Sequence, residues 1–378
     1  MSKYMDRALL KIIVPIVAVV VLSVITVMKT PSDTTIPIPE PNINSSINNT
    51  NSNKGIAVIA EKLQTPWSIA FSKDGRAFFT ERIGTIRMLS ANGTLAPEPI
   101  AYIRVDQVGE GGLLGIDLHP NFTSNHKIYI YHTYSNSSGI YNRVMFVIEN
   151  ENKIVDSKII LDGIPGGRFH DGGRIKFGPD NKLYISTGDA GIAEMSQNKS
   201  SLAGKILRIN DDGTIPTDNP FPGSPVYAYG FRNIQGLSWH PETKEMYASD
   251  HGPAGNDEIN VVRAGLNYGW PYEECSTNGK YTGPAICFNP SIAPSGITIP
   301  NSSKLGYKGD LLLATLKGSQ LRSIDLSSGE QNNILIGYGR LRDVVEGVDG
   351  SLFILTSNTD GRGLVQENDD KILRVFKD

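Results

Sequence analysis

Six stretches of this chain repeat one plan: an apolar strand, a turn built from Pro, Asp, Asn or Gly, and a second strand richer in aromatic or β-branched side chains. Beyond Ile56 no amphipathic helix of ordinary length interrupts them. The pairs are Trp67-Ser-Ile-Ala-Phe with Ala77-Phe-Phe-Thr, Leu114-Gly-Ile-Asp-Leu with Lys127-Ile-Tyr-Ile-Tyr, and Arg174-Ile-Lys-Phe with Lys182-Leu-Tyr-Ile-Ser. They continue as Leu237-Ser-Trp with Glu245-Met-Tyr-Ala-Ser, Gly309-Asp-Leu-Leu-Leu-Ala with Leu321-Arg-Ser-Ile, and Val344-Val-Glu with Ser351-Leu-Phe-Ile-Leu. A four-stranded propeller blade needs roughly 40 to 50 residues, and the repeats recur at about 35 to 70, with loops absorbing the excess. The fold class this predicts is all-β, a six-bladed β-propeller over residues 55–378. A two-sheet sandwich or two small β domains would be the alternative. Radial closure leaves only short sheet edges and gathers loops at one mouth of a central channel, so function is to be sought there.

The chain before the repeats is of another kind. From Ala8 to Met28 Lys11 is the only charge, and a run of that length spans a bilayer. Lys3, Arg7 and Lys11 on its N-terminal side predict a transmembrane helix that anchors residues 1–29 and sends the rest to the extracytoplasmic face. A cleaved signal peptide, with secretion, is the rival reading; no A-x-A-like site follows the apolar run. Residues 30–54, rich in Pro, Ser, Thr and Asn, read as a disordered linker. The net charge of −3 and the absence of a Lys/Arg run speak against a nucleic-acid partner. Cys275 and Cys287, the only cysteines, are close enough for one disulfide outside the membrane. A two-Cys zinc site is the alternative, with no His nearby to complete it.

Three groups of residues suit chemistry. His170, in Arg168-Phe-His-Asp-Gly-Gly, and Asp189, in Ser186-Thr-Gly-Asp, fall at neighbouring strand ends, where a carboxylate can orient an imidazole base. Taken alone, a His in a Gly-rich loop can equally be structural. The segments Tyr229-Gly-Phe-Arg232-Asn233 and Asp250-His-Gly252-Pro253, with Asp257-Glu258-Ile-Asn and Asn267-Tyr268-Gly-Trp-Pro, cluster acids and turn carbonyls that suit calcium or form an ordinary polar loop. Lys317, with Arg340 and Arg342 on one face of an extended segment, suits a polycarboxylate or plain surface ion pairing.

At these residues, and over nearly the whole chain from Leu63 to Val375, the sequence resembles the soluble-type, pyrroloquinoline-quinone-dependent glucose and aldose sugar dehydrogenases. Leu63-Gln-Thr-Pro-Trp-Ser-Ile-Ala-Phe, Gly112-Leu-Leu-Gly-Ile-Asp-Leu-His-Pro-Asn-Phe, Gly173-Arg-Ile-Lys-Phe-Gly-Pro-Asp, Phe231-Arg-Asn-Ile-Gln-Gly and Asn267-Tyr-Gly-Trp-Pro arrive in the family's order. The resemblance implies oxidation of an aldose at its C1 hydroxyl, with His170 as base, Asp189 orienting it, and pyrroloquinoline quinone as hydride acceptor. It implies that Arg232 and Asn233 meet the quinone end, Lys317, Arg340 and Arg342 its carboxylates, and the Gly252 and Pro253 carbonyls a calcium ion. Glu258 and Tyr268 match a further calcium site, and an external electron acceptor would reoxidise the quinone. Glu110 departs from the pattern, standing where the family has a Gln that touches the cofactor. An acid there would repel a carboxylate unless protonated or paired with an Arg. A tethered propeller that binds glycans or proteins without turnover, and a calcium-dependent lactonase-like hydrolase, are the alternative functions.

Overall fold

The computed structural model describes residues 54–276 and 279–377; the apolar segment 8–28 and the linker up to residue 53, with the membrane anchor expected there, lie outside them. In chain order the first strand is β1 (Lys54–Ala60), and the first blade follows as β2 (Pro66–Phe71), β3 (Ala77–Glu81), β4 (Thr85–Leu89) and β5 (Ala101–Tyr102). The second blade is β6 (Leu113–Leu118), β7 (Lys127–Asn136), β8 (Gly139–Asn150) and β9 (Lys153–Pro165). The third is β10 (Ile175–Phe177), β11 (Leu183–Ser186), β12 (Lys205–Ile209) and β13 (Val226–Tyr229). The fourth is β14 (Ile234–Trp239), β15 (Met246–Asp250), β16 (Asp257–Val262) and β17 (Ile286–Phe288). The fifth is β18 (Pro294–Thr298), β19 (Leu311–Thr315), β20 (Gln320–Ile324) and β21 (Gln331–Ile336). β22 (Leu341–Glu346), β23 (Leu352–Thr356) and β24 (Ile372–Lys377) form the sixth, which β1 completes as its outermost strand in the order β1-β24-β23-β22.

Each sheet is an antiparallel four-strand meander, and the innermost strands β2, β6, β10, β14, β18 and β22 adjoin one another in a ring. The six-bladed propeller predicted from the repeats is the fold. One repeat was placed a strand too far out: the Gly309–Ala314 and Leu321–Ile324 stretches are β19 and β20, the second and third strands of their blade. The innermost strand β18 begins at Pro294 and reads Pro-Ser-Gly-Ile-Thr, too poor in apolar residues to announce itself, although all five residues are buried.

The core lies between blades, where strand faces of one pack on those of the next. Trp67, Tyr129, Tyr131, Leu183 and Leu207, from the first three blades, belong to one such cluster. At the axis the Trp67 ring meets the guanidinium of Arg174 at 4.5 Å and that of Arg342 at 5.8 Å. Arg174 is held by Asp343 Oδ2 at 2.8 Å and Ser68 Oγ at 2.6 Å. A disulfide joins Cys275 and Cys287, as the sequence favoured.

Candidate active site

Loops that precede innermost strands and loops that follow second strands converge on a cavity of about 600 Å3. Glu110 precedes β6, His170 precedes β10, and Arg232 and Asn233 precede β14. His251, Gly252 and Pro253 follow β15; Lys317 sits in the turn from β19 to β20; Arg340 and Arg342 open β22; Asp360 and Arg362 follow β23. All of them line the cavity. Three residues expected at the site do not: Asp189 stands behind His170, and Glu258 and Tyr268 line a small adjoining cleft with Asp250, Trp270, Glu273 and Glu274, which shares Arg232, His251, Gly252 and Pro253 with the cavity.

His170 adopts a left-handed main chain with φ of 63°. Its Nδ1 lies 2.7 Å from Asp189 Oδ1. Asp189 is buried and each of its oxygens accepts a further donor: Gly191 N–H donates to Oδ1 at 2.8 Å and Trp270 Nε1–H to Oδ2 at 2.9 Å. With N–H donors on both oxygens, Asp189 acts as the acceptor in this pair, so the neutral imidazole carries its proton on Nδ1 and presents a lone pair at Nε2. The two loops lock by main chain, Ala190 N–H donating to the His170 carbonyl at 3.2 Å. That approach explains Gly188, where an added Cβ would lie 1.9 Å from the His170 carbonyl oxygen.

Asp250 Oδ1 and Oδ2 accept from the N–H groups of Asn233 at 2.6 Å and Arg232 at 3.0 Å, fixing that turn. Burial, reinforced by nearby Glu258, pushes the Asp250 carboxyl up to about 7. Asn233 Oδ1 accepts from Gly172 N–H at 3.0 Å, tying this turn to the His170 loop. Arg232 Nη1–H donates to the carbonyls of His251 at 3.0 Å and Gly252 at 2.9 Å, and its guanidinium lies 5.4 Å from the Trp270 ring centroid.

The cationic side contains an acid that sequence reasoning missed. Asp360 Oδ2 accepts from Arg340 Nε and Nη2 at 2.9 and 2.7 Å and lies 3.5 Å from Arg342 Nη2. Burial pulls the Arg342 guanidinium down to about 10. Among the described residues Lys317 Nζ has no hydrogen-bond or ion-pair partner. Asp360 was findable from the repeat: Ser186-Thr-Gly-Asp189, Ser249-Asp250-His251-Gly and Asn358-Thr-Asp360-Gly all lie at or just after the end of the second strand of a blade at this mouth. Burial raises the Glu110 carboxyl, but the His170 N–H on Oε2 and Arg362 beside Oε1 oppose it, and the group is held below the ordinary glutamate value.

A polycarboxylate quinone fits these residues. The cavity is lined by seven Lys and Arg side chains against the acids Glu110, Asp171 and Asp360. His251 Nε2 and Arg342 Nε in its wall are buried without a partner. Burial pushes His251 down to about 4, so its imidazole is neutral. A metal is less well provided for. Among the described residues no group of three or more His, Cys, Asp or Glu side chains converges on a metal position. The Gly252 carbonyl already accepts from Arg232, and the Tyr268 hydroxyl is engaged by the Val261 carbonyl at 2.8 Å and Arg263 N–H at 2.8 Å.

A family model described as Glucose / Sorbosone dehydrogenase matches residues 63–366. Aldose sugar dehydrogenase of Escherichia coli is 30% identical over 341 residues, 81% of this chain and 91% of that protein. The solved PQQ-bound form of aldose sugar dehydrogenase from Streptomyces coelicolor superposes with a TM-score of 0.78 at 36% identity, covering 86% of this chain and 99% of that one. The apo-form of the soluble aldose sugar dehydrogenase from Escherichia coli gives a TM-score of 0.75 at 28% identity, over 85% and 99%.

Proposed function

The chain belongs to the glucose/sorbosone dehydrogenase family, and on that premise we propose that it oxidises the C1 hydroxyl of an aldose to the lactone with pyrroloquinoline quinone as two-electron acceptor. The observation that carries this reading is the His170–Asp189 pair, 2.7 Å apart, at the wall of a cavity rich in guanidinium groups. His170 Nε2 removes the proton of the C1 hydroxyl. Asp189 holds the tautomer that leaves Nε2 free and stabilises the imidazolium that forms. Bound in the cavity, the quinone supplies the acceptor for the hydride leaving C1. Lys317, Arg340 and Arg342 would hold its carboxylates by charge-assisted bonds, and Arg232 and Asn233 would hold its quinone end.

Calcium is part of the proposal in one place, the carbonyls of Gly252 and Pro253 at the cavity wall, where the Gly252 oxygen would ligate through the lone pair that Arg232 leaves free. A second ion at Glu258 and Tyr268 would have to use atoms other than the engaged Tyr268 hydroxyl. The domain would work on the extracytoplasmic face, tethered through residues 8–28, and pass electrons to an external acceptor. The disulfide suits an oxidising compartment of that kind.

The test is dye-linked aldose oxidation with the quinone and calcium added together, singly, or followed by a chelator. Turnover should require the quinone and fall when calcium is chelated. His170→Ala should lower kcat by about a hundredfold to ten-thousandfold while quinone binding stays within a few-fold. Full turnover in that variant would remove His170 from its role, and no quinone binding by the unmodified protein would leave a propeller that binds without catalysis.

A further inference from the structure

Glu110 stands where the resembled pattern has a glutamine, and it sets a carboxyl group, held below the ordinary glutamate value, in a cavity read above as the seat of a polycarboxylate. Its contacts explain how that is possible. Oε2 accepts the His170 main-chain N–H at 3.1 Å, with Asn233 Nδ2 at 3.4 Å. Oε1 pairs with Arg362 Nη2 at 3.0 Å. The main chains of the two loops are also joined, Glu110 N–H donating to the Arg168 carbonyl at 3.1 Å, and Arg82 Nη2 donates to the carbonyls of Gly109 and Gly111 at 2.6 and 3.0 Å. Gly109 has a positive φ, and a Cβ there would lie 1.8 Å from the Arg168 carbonyl oxygen. Thus one carboxylate connects the loop before the second blade, the loop before the third, and the loop after β23 of the sixth.

Two physical needs meet at that carboxylate. A non-glycine residue in the left-handed region is disfavoured unless its surroundings fix it, and His170 is such a residue. An uncompensated carboxylate in a cavity that accepts a polyanion opposes it. We infer that Glu110 and Arg362 work as one unit: Glu110 is a positioning residue that fixes the main chain of His170, and Arg362 cancels the charge Glu110 brings, so that the anionic cofactor is admitted. The second half rests on the proposed function; the first does not.

Both halves are testable with the full chain. In the cofactor-free protein, Glu110→Ala should speed amide hydrogen exchange at His170 by about tenfold or more, and Glu110→Gln, whose amide oxygen still accepts, should retain the protection. Unchanged exchange in Glu110→Ala would overturn the positioning role. Equilibrium dialysis of pyrroloquinoline quinone with calcium chloride then tests the charge. Arg362→Ala should weaken binding about tenfold in the Glu110 protein and less than about twofold in the Glu110→Gln background. Equal weakening in both backgrounds would mean that Arg362 holds the quinone itself, and no weakening in either would mean that the charge needs no cancelling; each overturns the pairing. Absence of quinone binding by the unmodified protein would overturn the functional reading and the charge-cancelling half with it, while the exchange result still decides the positioning half.

Discussion

Trp270 does not line the main cavity, yet its indole N–H takes the second oxygen of Asp189, the acid behind the base. Trp270→Phe keeps a ring of similar shape and removes that donor. A carboxylate with one fewer donor is a stronger acceptor from the imidazole and favours its cationic form. The acid limb of the kcat/KM profile should therefore move to higher pH, with kcat near neutrality falling by about three- to tenfold, while a purely structural role would scale the whole profile without moving it. Asp171, next to the base, is a separate case. Burial pushes its carboxyl up to about 6, against the hydrogen bonds from Asn142 Nδ2 and Gly167 N–H. The folded protein then binds more protons than the unfolded chain between about pH 4 and 6, so this group's contribution to stability is present below the unfolded value and lost as pH rises through 6. Asp171→Asn should match the parent near pH 4 and exceed it by about 2 kcal/mol at pH 8, measured by urea unfolding at both.

Strand β12 carries at its first residue a lysine that no motif singled out. Lys205 is fully buried, and its Nζ donates to the carbonyls of Met195 at 2.8 Å, Ser196 at 2.9 Å and Ala203 at 2.6 Å. It thereby closes the loop that runs from Asp189 back into the sheet. Lys205→Met keeps the length but removes three charge-assisted bonds; the Met195 and Ser196 carbonyls keep the N–H groups of Asn198 and Gly230, the Ala203 carbonyl loses its side-chain donor, and a loss of about 3 kcal/mol is expected, read as a lower urea midpoint with an unchanged slope. At the element scale the sequence was readable wherever a strand was strongly apolar, as in Leu113–Leu118 or Leu352–Thr356, and unreadable wherever burial came from position alone. β18 is buried because it rings the axis, and only its neighbours in space make a Pro-Ser-Gly-Ile-Thr segment a central strand. The site divided in the same way. Arg232 and Asn233 lie in an ordered motif, and His170, Asp189, Lys317, Arg340 and Arg342 stood out by residue type and near neighbours, whereas Asp360, Arg362 and the link from Trp270 to Asp189 depend on loops far apart in the chain meeting at one mouth.

The molecule as a whole closes through β1, which pairs antiparallel with β24 from Lys54↔Lys377 to Ala60↔Ile372 and so makes the start of the described chain the outer edge of the last blade. Everything that builds the cavity comes after β1, from Trp67 to Arg362. Two consequences follow for the proposed tether. A chain beginning at Asn53 keeps every strand among the described residues and every cavity residue, so its dye-linked kcat and aldose KM should equal those of the full chain within about twofold. The full chain, with one nearly uncharged segment of bilayer-spanning length at residues 8–28, should sediment with membranes and resist a high-salt and alkaline-carbonate wash, since insertion of such a helix is effectively irreversible. Full-length chain released by carbonate would reject the anchor, and a product shortened at its N-terminus in the soluble fraction would favour a cleaved signal peptide. If the chain beginning at Asn53 instead unfolds or turns over slowly, closure of the last blade draws on residues before Lys54, and the boundary between linker and propeller lies earlier than β1.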